Sequence, residues 1–330
     1  MIRLYSISLL FAIAVAAPLF AQEVPLGTTQ QKITAVSAVR ARTGPQVGAQ
    51  EITRLRLGTV VDAVARSAEQ SEIGGKTDYW YRVALPGGEP GWIFGGLLQE
   101  YDPARRQAAI DAIIEDRLKI ESMTFEDGVD FYNFVAGELD QIEAPGEVRG
   151  RLELMRLHAL SRAVGAISGG EQVRPPYRDF SKAHAEEIYY HELAGIWAVR
   201  PDAFWDLERR YHGSLIGERI AWDAAQALRG GECESDEVCN FLDLCETQGR
   251  YLRLYPDGEH ASEAIRNITE SLASEDVSGT LAGSGGDKYL VAERKAVKKA
   301  VAELRPVVAK TKSPEKDELL KLLGELAPGR

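Results

Sequence analysis

His184-Ala185-Glu186-Glu187-Ile188-Tyr189-Tyr190-His191 holds two histidines and a glutamate at i, i+3 and i+7. On a helix that spacing puts His184, Glu187 and His191 on one face. Imidazole and carboxylate groups converging in this way are what zinc or iron takes as ligands. The spacing is neither the His-Glu-x-x-His of zinc hydrolases nor the Glu-x-x-His of di-iron bundles. Polar residues along one helix face are ordinarily its solvated side, so the segment supports only a rival reading, a metal-dependent envelope enzyme. No nucleophile elbow or supported pair of carboxylates occurs. Gly283-Ser284-Gly285-Gly286 has no strand before it to make a phosphate loop. The reading is therefore non-enzymatic, with no catalytic residue, metal ligand or cofactor assigned.

The three cysteines are Cys233, Cys239 and Cys245. Asp236 to Tyr255 reads as one helix, capped by Ser235 or Asp236. On it Cys239 and Cys245 would stand about 9 Å apart at 1.5 Å per residue, beyond the reach of a disulfide. Cys233 precedes the helix and can fold back on its first turn. A Cys233–Cys239 bridge and a buried Cys245 thiol are expected.

Aromatic residues mark a different chemistry between 35 and 101. Ile52-Thr53-Arg54-Leu55-Arg56-Leu57 alternates apolar with polar, Gly58 turns the chain, and Val60, Val61, Ala63 and Val64 follow. Tyr79 to Leu85 and Trp92 to Phe94 supply two more strands around the turn Pro86-Gly87-Gly88-Glu89-Pro90-Gly91. Arg66 to Asp78 is a polar insertion, long for a loop. Arg42-Thr43-Gly44-Pro45, Gly58-Thr59-Val60-Val61, Trp80-Tyr81-Arg82-Val83 and Gly91-Trp92-Ile93 occur in this order. The segment resembles the bacterial Src-homology-3-like domain of exported proteins. Ala41 departs from that pattern, in which a larger apolar residue is usual. The resemblance implies a small all-β barrel that binds cell-wall peptide, glycan or a protein segment. Trp80 and Trp92 would be core residues or the floor of a groove. Tyr79, Tyr81 and Phe94 are expected to alternate with them onto the open face, and Arg42 and Arg82 could add recognition of carboxylates.

After Tyr101 the apolar period lengthens from 2 to 3.6. Asp102-Pro103 opens one helix, Thr124-Phe125-Glu126-Asp127 resembles a capping box, and Glu147 to Ile167 reads as another helix. Further helices are expected over 181–199, 202–211, 215–228, 236–255 and 260–273. Trp197, Trp205 and Trp222 are expected to pack between them. Tyr211-His212-Gly213-Ser214 and Tyr255-Pro256-Asp257-Gly258, 44 residues apart, open similar junctions. These are similar to tetratricopeptide-like junctions, which implies irregular helical hairpins that scaffold a protein partner.

The elements that carry these residues divide the 330-residue chain. Arg3, the apolar run Ile7 to Ala17, Pro18 and Ala21 form a secretory signal peptide over 1–21. With no later apolar run of spanning length, no transmembrane anchor is expected and the mature chain is placed in the periplasm. Residues 22–34 read as a linker, 35–101 as the barrel, 102–273 as the helical body and 274–287 as a flexible Ser/Gly/acidic linker. The final segment, 288–330, forms basic helices, with Pro306 expected to kink or end the first of them. Residues 287–330 hold 11 Lys+Arg against 7 Asp+Glu. The whole chain is at −11, which argues against nucleic acid as a partner.

Overall fold

A computed structural model describes residues 23–143, 146–229, 233, 236–274, 277–282 and 288–326. The expected signal peptide and the Gly283–Gly286 run lie outside these residues. The chain divides into two compact units, residues 1–111 and 112–330.

The first unit is an antiparallel sheet. Its strands are β1 (Glu23–Thr34), β2 (Val39–Arg42), β3 (Glu51–Leu55), β4 (Val60–Ser67), β5 (Ser71–Ile73), β6 (Lys76–Asp78), β7 (Trp80–Ala84), β8 (Pro90–Phe94) and β9 (Leu98–Glu100). Seven of them run in the order β3-β2-β8-β7-β4-β1-β9. Among the described residues no pairing joins β3 to β9, so the closed barrel implied by the resemblance is not found. Val39, Ala41, Leu55, Val61, Ala63, Val83, Leu85 and Ile93 form the buried core of the sheet. Ala41 is fully buried, and a Cβ at Gly91 would lie 3.4 Å from its own. A side chain at position 91 would therefore press on Ala41.

Two expectations for this unit are corrected. Residues 22–34 are not a linker, because β1 pairs with both β4 and β9. Its run Gln30-Gln31-Lys32-Ile33-Thr34 looks polar, yet Lys32, Ile33 and Thr34 are buried between those neighbours. The insertion Arg66–Asp78 is not an open loop either. Within it β5 and β6 form a hairpin turned by Gly74 and Gly75, with φ of 60° and 76°, the left-handed pair a tight hairpin demands.

The second unit is helical. A helix α1 (Arg106–Leu118) carries the chain into it, followed by α2 (Phe125–Leu139), α3 (Glu147–Gly165) and α4 (Tyr177–Ala183). A hairpin of β10 (Ile188–His191) and β11 (Ile196–Val199) leads to α5 (Pro201–Tyr211), α6 (Leu215–Gln226), α7 (Glu237–Glu246) and α8 (Gln248–Leu254). The last elements are α9 (Ala261–Ser274), α10 (Val277–Ala282), α11 (Lys288–Lys310) and α12 (Lys316–Glu325). Thr124 and Asp236 cap α2 and α7, accepting from the backbone N–H of Asp127 and Cys239. One apolar cluster runs from Phe125 and Leu154 to Leu319 and Leu323. Trp205 and Trp222 are buried in it and Trp197 packs against it. No helix among the described residues is long and apolar enough to cross a membrane.

Four helical expectations change. The helix over 181–199 stops at Ala183, because Ile188-Tyr189-Tyr190-His191 and Ile196-Trp197-Ala198-Val199 are β-branched and aromatic runs that pair across Gly195, at φ 66°. The helix over 236–255 breaks at Thr247, whose φ of −102° and ψ of −84° lie outside the helical region while its hydroxyl donates back to the Asp243 carbonyl at 2.8 Å. Residues 277–282 within the expected linker are helical, with Val277 buried. Pro306 sits inside α11, so of the two outcomes expected for it, kinking or ending the helix, the second is overturned.

Candidate functional site

The aromatic residues of the first unit sort onto the two faces of the sheet. Period-2 alternation along β7 sends Trp80 and Arg82 one way, Tyr81 and Val83 the other. In register, Trp80 faces Phe94 and Arg82 faces Trp92. Trp80, Trp92 and Phe94 therefore share one face and cluster there, buried, with Ile73 and Leu97 packed on them. The Trp80 and Phe94 rings lie 5.8 Å apart, and Trp80 Nε1 donates to Ser71 Oγ at 3.1 Å. Ser71 and Ile73 of β5 thus cover part of this face. Phe94 does not alternate with Trp92: two residues along a strand return to the same face, and Phe94 is 2% exposed.

The two arginines flank Trp92, since Arg42 is its partner on β2 and Arg82 its partner on β7. Both are engaged. Arg42 Nη1 donates to the Ala49 carbonyl at 2.8 Å, closing the turn after β2. Arg82 Nη2 pairs with Glu23 Oε1 at 2.6 Å.

Tyr79 and Tyr81 stand on the opposite face, half-buried. Arg66, the partner of Tyr81 across β4 and β7, lies 3.8 Å from the centre of the Tyr79 ring. Lys32 Nζ lies 4.2 Å from the centre of the Tyr81 ring and is bonded to Glu100. A Cβ at Gly95 would come within 2.6 Å of Tyr81 Cε2 and 2.7 Å of Asp78 Cγ. The bare backbone there lets Asp78 and the Tyr81 ring close against it. Burial, and then the Asp78 charge, push the Tyr81 phenol above its ordinary pKa. The result is a small face of two phenols, two cations and two carboxylates. Such a face can attract an ammonium and a carboxylate at once and can stack on apolar parts between them. Lys32, Arg66, Asp78 and Glu100 escaped the sequence reading. Lys32 was hidden in the polar run of β1, and the other three carry no spacing signal.

The histidine–glutamate set is not assembled as a helical face. His184 follows α4 and His191 ends β10. Glu187 is bound instead by Arg156, with Nη1 at 3.1 Å from Oε2 and a second contact from Nη2 to Oε1. His184 Nδ1 lies 3.4 Å from Glu187 Oε2. The bond from His184, then those from Arg156, hold the Glu187 carboxyl at about 2 against the opposing effect of burial. His191 Nδ1 accepts from the Ala194 N–H at 3.1 Å. Among the described residues no group of three or more His, Cys, Asp or Glu is placed to hold a metal ion.

The cysteines fall as expected. Cys233 and Cys239 form a disulfide. Cys245 is buried, and burial pushes its thiol up to about 12, which makes it unreactive.

No protein-family model, no curated protein and no solved structure matches this chain.

Proposed function

We propose that this is an exported, periplasmic, non-enzymatic binding protein. Its first unit is a Src-homology-3-like module that takes cell-wall peptide, and its tetratricopeptide-like helical body serves as a scaffold for a protein partner. The observation that carries the reading is the Tyr79/Tyr81 face, where each ring has a cation on it and Asp78 and Glu100 stand close by. A short peptide bearing both amine and carboxylate groups matches that mixture of charges better than a neutral glycan does. The order of the four sequence matches and the antiparallel sheet support the module. The disulfide suits an oxidising compartment. For the body, Leu215 is 83% exposed and Val148 is 42% exposed. Both line one shallow cavity of about 370 Å³ beside Ile216, an apolar patch of the kind that protein contacts cover.

The experiment is co-sedimentation of residues 22–330 with purified peptidoglycan sacculi, beside a Tyr79→Ala/Tyr81→Ala variant. Retention of the wild type and its loss in the variant support the reading. Equal retention of the two, or none of either, removes the face from it. Phe94→Ala is not a usable probe, because it opens the buried aromatic cluster.

A further inference from the structure

A cavity of about 550 Å³ in the second unit is lined from the end of α1, from α3 and from α6. Its apolar lining is Leu118, Met123 and Met155. Its basic lining is His158, Arg162 and Arg219, against Glu121 as the lining carboxylate among the described residues. Two guanidiniums against one carboxylate make the lining itself net positive in a chain of net charge −11.

The basic groups are held in place. Asp223, with a side chain only 10% exposed, takes His158 Nε2 on Oδ2 at 2.8 Å and Arg219 Nε on Oδ1 at 3.2 Å. Nδ1 of His158 has no protein partner among the described residues. Arg162 is fixed by donating Nη2 to the Leu118 carbonyl at 2.9 Å and Nη1 to the Glu121 carbonyl at 3.2 Å. Behind Met123 stands a further cation. Arg117 is 5% exposed, and the one hydrogen bond of its side chain to a described residue runs from Nη2 to Met123 Sδ at 3.8 Å, while Nε has none. A thioether is a weak acceptor, so this guanidinium is desolvated with little in return. Burial lowers its pKa, while Asp127 and Asp130 act on it through space.

We propose that this cavity binds a small organic anion, with its carboxylate or phosphate head on His158 and Arg219 in the positive field of Arg117 and Arg162, and its apolar body against Met123 and Met155. Nε2 of His158 stays on Asp223, and Nδ1 is the ring nitrogen left to face the ligand head. The volume lies within the range of small-molecule sites. The site is independent of the Tyr79/Tyr81 face and of the cell-wall reading.

The test follows the His158 ring resonance by NMR in residues 22–330 during titration with hexanoate, hexyl phosphate and, as the uncharged control, hexanol. A saturable shift with either anion is expected, about tenfold weaker in Arg219→Gln, since one charge-assisted hydrogen bond is lost. Arg219→Lys should keep most of the affinity. The Arg219 side chain is 60% exposed, so these variants leave the packing intact. No saturable shift with either anion, equal affinity in Arg219→Gln, or equal binding of hexanol would overturn the proposal.

Discussion

Lys32 holds its ammonium 4.2 Å from the centre of the Tyr81 ring although the residue is only 4% exposed. A charge buried to that extent needs partners, and it has two, the ring and the carboxylate of Glu100. Lys32→Met keeps the stem and removes the charge. It is expected to lower the stability of the first unit by about 1–2 kcal/mol, measured by urea unfolding followed through the Trp80 indole NMR resonance. It should also weaken retention on sacculi, because the ammonium that holds the Tyr81 ring and Glu100 in place is lost.

Glu187 gives a pH dependence whose sign is fixed. Its folded-state value of about 2 lies below the ordinary 4.5, so the pairing stabilises fully above 4.5 and is lost as pH falls through about 2. Glu187→Gln should cost about 2 kcal/mol at pH 6, where Arg156 is left half-buried beside an amide. The difference between variant and wild type should shrink steadily between pH 4.5 and 2. Unfolding curves across that range check it.

Gly217 allows α6 to start against the end of α5. A Cβ there would lie 2.2 Å from the Tyr211 carbonyl oxygen and 2.9 Å from the Tyr255 hydroxyl, and the first of these is backbone that cannot swing aside. Gly217→Ala is expected to destabilise the second unit by about 3 kcal/mol, a clear fall in melting temperature by circular dichroism. Gly137→Ala is the control, since nothing lies within 4 Å of its added carbon.

The Cys233–Cys239 disulfide closes a loop with a sequence separation of 6. Cross-linking so short a loop stabilises by about 2 kcal/mol in the chain-entropy account. Cys239→Ser, or reduction, should lower second-unit stability by that amount. Cys245, buried with a raised pKa, should resist alkylation until the unit unfolds.

What the sequence made legible was local. Asp102, Thr124 and Asp236 announce helix starts by side-chain chemistry that acts within three residues, and each caps as expected. The disulfide followed from helix rise, which separates Cys239 from Cys245, and from Cys233 standing just before the first turn. Long-range consequences stayed hidden. Lys32 reads as solvent-facing until β4 and β9 close on both sides of it. Glu187 reads as part of a helix's solvated face until Arg156, 31 residues earlier, proves to be its partner. The 181–199 stretch failed for a third reason: its aromatic and β-branched residues fit a helical apolar stripe as readily as a strand, and the turn at Gly195 decides between them. The candidate face is half legible. Tyr79 and Tyr81 were found by alternation, but the charges that give it character come from strands distant in sequence.

The most direct measurement of the central claim is an NMR titration of residues 22–330 with soluble peptides released from peptidoglycan sacculi. The account predicts saturable shifts centred on the Tyr79 and Tyr81 rings and the Arg66 side chain, with the buried Trp80 and Trp92 indoles little moved. Shifts confined to the helical unit, or none at saturating peptide, would contradict it.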